Sequence, residues 1–294
     1  MKKLLTIGII MLAAGCCLMF GGWRGMESAA ESGAGETSSA ISSIGRYGVL
    51  TRRDYTFSAD GAASVVICEA RGDVEIGASP DGDIHVVTHE SESRSYEMAY
   101  NGSAFEITAA AAEDFTISFD FYDADDLKLE VLLPDGLDVS AETDVGDIKA
   151  ERLSPRSLTA AAGYGDIKAE GVSANTVRMD TETGDIEVEK IDAESVCITS
   201  NTGDIKLKKC SARTVYLTTE LGDIEAENID AGEELVLRTE YGDIAGTLDG
   251  ALDDYSVTAE AELGDSSLPS ERRGGHISLD VYTACGDIEI EFER

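Results

Sequence analysis

The chain has 294 residues, 43% apolar and 6% aromatic, enough for one large domain or two small ones. Lys and Arg number 23 against 58 Asp and Glu, a net charge of −35 at pH 7. Such a surface repels nucleic acid and anionic lipid head groups and attracts metal ions, cationic peptides and basic protein patches.

In chain order, the first element is an apolar run. After Met1, Lys2 and Lys3, residues 4–23 carry no charge. About twenty helical residues span about 30 Å, the thickness of a bilayer core. Lysines ahead of the span hold that end in the cytoplasm. Residues 1–24 therefore read as a transmembrane signal anchor, with the bulk of the chain extracytoplasmic. Two other fates stay open: cleavage near Ser28-Ala29-Ala30, giving a secreted protein, and lipidation at Cys16. The stretch Leu12-Ala13-Ala14-Gly15-Cys16 resembles a lipobox whose leucine sits one place too far from the cysteine.

Residues 25–50 are rich in Gly, Ser, Ala and Glu and read as a flexible stalk. From 51 to 138, short alternating runs such as "SVVICEARGDVEI" predict an irregular N-terminal β region. It holds two Gly-Asp pairs, Gly72-Asp73 and Gly82-Asp83, without a clear longer period.

Residues 139–294 carry a repeat. Gly-Asp pairs begin at Gly146, Gly165, Gly184, Gly203, Gly222, Gly242, Gly264 and Gly286, spaced 19 to 22 residues apart. A fixed period of about 20 implies a stacked, quasi-one-dimensional array. Seven, five and three places before each glycine, apolar residues or threonines recur, as in Val177, Met179 and Thr181. Two and four places after it they recur again, as in Ile186 and Val188. Both sets alternate, so each is one face of a strand. The alternation slips by one residue between them, and Gly-Asp occupies the slip. Glycine takes positive φ without cost and aspartate bonds its own backbone in turns. Each repeat is thus expected to be strand, tight corner, strand and return loop. Like positions stack about 4.8 Å apart. The prediction is an all-β, parallel β-solenoid (β-helix) of about eight coils. The irregular segment 247–276, with "SSLPSERRGG" at 266–275, reads as the C-terminal cap.

"SVVICEARGDVEIGASPDGDIHV", then "LKLEVLLPDGLDVSAETDVGDIKAERL", then serial "TETGDIEVEKI" units together resemble a bacterial β-strand-repeat family of unknown function labelled putative adhesin. The resemblance covers about residues 50–294 and implies a β-solenoid at the cell envelope. Some relatives are tied to envelope-stress signalling and antimicrobial-peptide responses. The family carries no established catalytic residues, so the resemblance transfers none.

Candidate sites follow from the columns. The corner aspartates Asp147, Asp166, Asp185, Asp204, Asp223, Asp243 and Asp287, with Asp265, stack as like charges that need compensation. Either each carboxylate accepts turn N–H groups, or the column holds divalent cations. Calcium rolls use several oxygen ligands per site, whereas one aspartate per coil is offered here. The tripeptide Arg71-Gly72-Asp73 coincides with a corner and reads as structure. His85 and His89 stand about 13 Å apart on a strand and cannot share a metal. Four cysteines lie beyond the anchor: Cys68, Cys197, Cys210 and Cys285. Cys210 shares a core slot with Ile191 and Ile229, and Cys197 faces outward with Arg178 and Tyr216. No cofactor motif is present.

Acid also runs down two outward columns, one two places before the glycine (Glu182, Glu220, Glu240) and one five places after it (Glu151, Glu170, Glu189). The expected function is non-catalytic: a membrane-anchored extracytoplasmic solenoid that binds envelope or membrane proteins, or cationic peptides, in adhesion or stress sensing. The alternatives are a carbohydrate-active β-helix enzyme with acids gathered in one groove, and a cation-binding structural surface protein.

Overall fold

Alternation of apolar and polar residues draws nearly every described segment into strand, and all twenty strands join one sheet. The computed structural model describes residues 37–45, 48–110 and 127–293, all within one compact unit, Gly35–Arg294. The expected membrane span, 4–23, and Cys16 lie outside the described residues. Among the described residues no helix is long and apolar enough to cross a membrane.

Of the stretch expected as a stalk, 25–50, residues 37–45 and 48–50 are strand, and the others lie outside the described residues. Strand β1 (Thr37–Gly45) pairs antiparallel with β2 (Gly48–Phe57), closing at Gly45 opposite Gly48. Its Thr37, Ile41 and Ile44 are strand-favouring residues that the overall composition of 25–50 obscures. Next come β3 (Ser64–Glu69), β4 (Asp73–Ala78), β5 (Ile84–Glu90), β6 (Tyr96–Asn101), β7 (Ala104–Ala109) and β8 (Lys128–Leu133). Antiparallel pairs β2–β5, β5–β8 and β6–β7 cap one end of the molecule. Phe57 and Tyr100 pack at a tilt against buried Phe105 there, with ring centroids 4.6 and 4.9 Å away.

Strands β3 and β4 depart from the expected irregularity. They flank Gly72-Asp73 and form a regular coil, pairing in parallel with β9 (Asp138–Val145) and β10 (Ile148–Leu153). Gly82-Asp83 is no such corner. It lies in the connection from β4 to β5, and a Cβ on Gly82 would meet nothing within 4 Å.

The stack continues through β11 (Ser157–Tyr164), β12 (Ile167–Thr183), β13 (Ile186–Thr202), β14 (Ile205–Leu221) and β15 (Ile224–Tyr241), all parallel and in register except for one bulge between β14 and β15, after Ala212. The predicted return loop is absent from β12 to β15. The chain runs as 17 or 18 residues of continuous strand from one Gly-Asp to the next. It bends six residues after the glycine, where Arg152, Gly171, Lys190, Lys209 and Asn228 take φ between 52° and 68°. That single left-handed residue is the second corner. Beyond it Val172, Ile191, Cys210 and Ile229 turn back into the core.

Isoleucines two places after each corner form the central ladder: Ile148, Ile167, Ile186, Ile205, Ile224, Ile244 and Ile288 are all at most 1% exposed. Fully burying each contributes roughly 1.5–3 kcal/mol. One coil has nothing to bury this side chain against, which is why the coils are stable only as a stack.

The last coils are not in chain order. After β16 (Ile244–Asp249) a 3₁₀ turn, Leu252–Asp254, leads to β17 (Tyr255–Leu263). The short β18 (Glu271–Arg272) then turns back on β17. Strand β19 (Ile277–Cys285) inserts between β15 and β17, and β20 (Ile288–Glu293) pairs with β16. The Gly286 coil therefore sits on the Gly242 coil, and the Gly264 coil is outermost. The physical reason is visible in the interior column. Ser266 stands where other coils place isoleucine, and an outermost coil has no further layer to pack against. Counting Gly72, nine glycine corners stack in one column.

Candidate functional site

The Gly-Asp corner is dictated by backbone crowding. From Gly146 to Gly242 the corner glycines take φ between 141° and 156°. A Cβ on Gly184 would stand 2.0 Å from the carbonyl oxygen of Gly165, and one on Gly203 equally close to that of Gly184. Only glycine permits this approach. With the backbones so near, the Asp166 N–H donates to Asp147 Oδ1 at 2.8 Å, the Asp185 N–H to Asp166, and the Asp204 N–H to Asp185. The chain of bonds begins at Asp73 and passes through Asp223, Asp243 and Asp287 to Asp265. Each carboxylate from Asp73 to Asp287 thus accepts an amide from the neighbouring coil, which offsets the stacking of like charge.

A second ladder lies just inside. The buried hydroxyl of Thr181 donates to the Gly165 carbonyl, Ser200 to Gly184, Thr219 to Gly203, Thr239 to Gly222 and Thr283 to Gly242, all at 2.9–3.2 Å. Ala162 and Ala261 occupy this column without a hydroxyl.

As metal ligands, the corner aspartates offer one carboxylate per rung, with one oxygen already accepting an amide. Among the described residues no group of three or more His, Cys, Asp or Glu is placed to hold a metal. His85 Nε2 lies 2.7 Å from Asp81 and His89 Nδ1 3.1 Å from the Lys128 carbonyl, so the two histidines serve different neighbours.

The two acidic outer columns differ. On the face after the corner, Lys149 pairs with Glu151, Lys190 with Glu170, Lys209 with Glu189 and Lys208 with Glu227, at 2.5–3.1 Å. Hydrogen bonds from these lysines hold Glu151, Glu189 and Glu227 below the usual carboxylate range. Before the corner, Asp144, Glu182, Glu220, Glu240 and Glu262 are exposed, and none has an ion pair among the described residues.

Immediately before each glycine runs a column that sequence reasoning passed over. Val145, Tyr164, Leu221, Tyr241 and Leu263 are exposed large apolar side chains there, Leu263 at 71%. Thr183 and Thr202 fill the middle rungs. The position follows the inward Thr column by two, so alternation alone points it inward. The corner turns it out.

A buried polar cluster was equally invisible. Glu69 takes the place of the corner threonine in the Gly72 coil, opposite Thr143. It meets Arg94 at 3.1 Å and accepts the Tyr96 hydroxyl at 2.7 Å. Arg94 also donates to the Arg71 carbonyl. Burial pushes the Tyr96 phenol far above its ordinary value. Because Glu69 and Arg94 are 25 residues apart, no local pattern reveals the pair.

Cys210 lies in the core slot, its thiol pushed up to about 12 by burial. Cys197 sits half-buried between Arg178 and Tyr216, and burial raises its thiol as well, which disfavours the reactive thiolate. Cys197, Cys210 and Cys285 are free thiols.

Stacked parallel coils locked by glycine corners define an all-β repeat protein. Residues 63–278 match the Toastrack DUF4097 family, and the chain belongs to it. The chain is similar to a solved structure described as a putative adhesin from Bacteroides fragilis, at 15% identity and a TM-score of 0.50. That match covers 82% of this chain and 96% of the other, and it supports the fold. A second solved structure, described as a putative cell adhesion protein from Clostridium sporogenes, matches at 11% identity over 83% of this chain and all of the other. Its TM-score of 0.31 carries no further comparison. No curated protein matches.

Proposed function

We propose that this protein is a non-catalytic binding module of the bacterial cell envelope, held at the membrane by its N-terminal apolar segment. It presents its acidic glycine–aspartate edge to basic proteins or cationic peptides, in adhesion or in sensing envelope stress. One observation carries the reading: the carboxylates two places before the corner are exposed and have no ion pair among the described residues, while Glu151, Glu170, Glu189 and Glu227, five places after it, each pair with a lysine. Unneutralised like charge in a row is stable only at a solvent-exposed surface and gains most from a cationic partner.

Binding of oligolysine to the full chain, measured at rising salt, tests this. Affinity is expected to fall steeply between about 50 and 500 mM salt, as screening shortens to about 4 Å. Absence of binding at low salt sinks the reading. Release of soluble sugar from envelope polysaccharide would favour the carbohydrate-active alternative. A thermal shift with millimolar calcium would favour the cation-binding one.

A further inference from the structure

Four rungs of the column before the corner are continuous and apolar. Leu221 pairs with Tyr241, Tyr241 with Cys285, and Cys285 with Leu263. Leu221, Tyr241 and Leu263 are 53%, 59% and 71% exposed. On one side stand Glu220, Glu240 and Glu262, and on the other Asp223, Asp243, Asp287 and Asp265, all exposed. None of these seven carboxylates has an ion pair among the described residues. A contiguous exposed apolar strip with a polar rim marks an interaction surface.

We propose that this strip is the docking site for a cationic amphipathic helix of a partner peptide or protein, laid along the stack. The inference rests on the proposed function and names the part of the edge that gives it specificity. Charge selects the partner. A second copy of a chain carrying −35, or an anionic lipid surface, is repelled by the same carboxylates.

Spacing selects its conformation. Coils repeat every ~4.8 Å, so four rungs span ~14 Å. A helix advances 5.4 Å per turn, about 16 Å over three turns, and stays in step within the reach of a side chain. An extended strand repeats its face every ~7 Å and drifts ~6 Å out of step over the same three intervals. The apolar stripe of the helix then covers Leu221, Tyr241 and Leu263. Its flanking Lys and Arg meet the glutamates on one side and the aspartate ladder on the other.

The test uses the full chain and two synthetic probes: an amphipathic Lys/Leu peptide of about twelve residues with helical spacing, and a scrambled peptide of the same composition. The chain is compared with L221S/Y241S/L263S, which leaves the charge unchanged, and with Tyr164→Ser, outside the strip. Circular dichroism verifies that each variant folds. The wild type is expected to bind the helical peptide at least about ten-fold more tightly than the scrambled one, since truncated apolar anchors each weaken binding severalfold or more. The triple variant should lose that margin while binding the scrambled peptide as before, and Tyr164→Ser should keep it.

A triple variant that retains the margin overturns the inference even if both peptides still bind at low salt. A wild type that binds neither peptide overturns the proposed function as well. Self-association of the wild type that the triple variant abolishes, without any change in peptide binding, assigns the strip to a second copy and also overturns the inference.

Discussion

In the five coils from Gly146 to Gly222, the two corners solve the same bending problem in opposite ways. At the Gly-Asp corner the backbones approach so closely that a Cβ has no room, and φ lies near 150°. At the second corner, six residues on, φ lies near 55° and Arg152, Lys190, Lys209 and Asn228 are all accommodated. The first fixes its sequence, and beside it Glu182, Glu220, Glu240 and Glu262 have no ion pair among the described residues. The second accepts many residues and gathers lysines that neutralise the glutamates beside them, as Lys190 does with Glu170 and Lys209 with Glu189. Rigidity and residual charge thus coincide on one edge, and variability and neutrality on the other.

The largest contrast comes from adding one methyl group. Gly203→Ala places a Cβ 2.0 Å from the Gly184 carbonyl and is expected to lose on the order of 3 kcal/mol or more. Lys209→Ala, at the second corner of the same coil, keeps the backbone and loses an exposed ion pair with Glu189, about 1 kcal/mol or less. Urea denaturation of both variants decides; equal midpoints would break the comparison.

The hydroxyl ladder gives a smaller effect. Thr219→Val leaves the Gly203 carbonyl without its 3.0 Å donor and is expected to cost about 1–2 kcal/mol. Ala162→Ser supplies a donor where the column lacks one and is expected to add up to about 1 kcal/mol. Thermal unfolding of the pair shows whether this column is structural, as a null effect for both would deny.

At the second corner, Arg152→Gly removes the strain of a left-handed residue, about 1–2 kcal/mol, but adds backbone freedom to the unfolded chain. A net gain of up to about 1 kcal/mol is expected from denaturant midpoints. A loss would mean that this corner depends on its side chain.

The smallest effect is pH-dependent. Asp138, held low by Arg156 and Ser157, and Glu151, held low by Lys149, have folded pKa values below their unfolded ones. Their contributions are full above the unfolded values and are lost as pH falls through the folded ones. Arg156→Met should therefore reduce stability at neutral pH, with the deficit shrinking in acid. A deficit that grows in acid would reverse the sign.

What the sequence discloses follows from the same contrast. The Gly-Asp corners and the Val, Ile and Thr columns are legible because crowding permits one residue type and burial permits few. The second corner is not legible, because a left-handed residue near φ 55° accepts Gly, Asn, Lys or Arg and no single letter marks every coil. The exchange of the last two coils was readable in principle from Ser266, which breaks the isoleucine ladder, but spacing alone suggests chain order. The exposed strip of Leu221, Tyr241 and Leu263 was hidden by strict alternation, which places it inside. The pairing of Glu69 with Arg94 depends on how the N-terminal strands fold over the first coil, and no period encodes that.

The central claim is that the unneutralised edge, and not acidity in general, meets cationic partners. Oligolysine affinity separates the two. One variant carries Gln at Glu182, Glu220, Glu240 and Glu262, and the other at Glu151, Glu170, Glu189 and Glu227. Each removes the same formal charge. The first is expected to weaken binding at low salt by about ten-fold or more, and the second by only about two-fold, because its glutamates already hold lysines. Equal losses in both variants, or a larger loss in the second, would contradict the account.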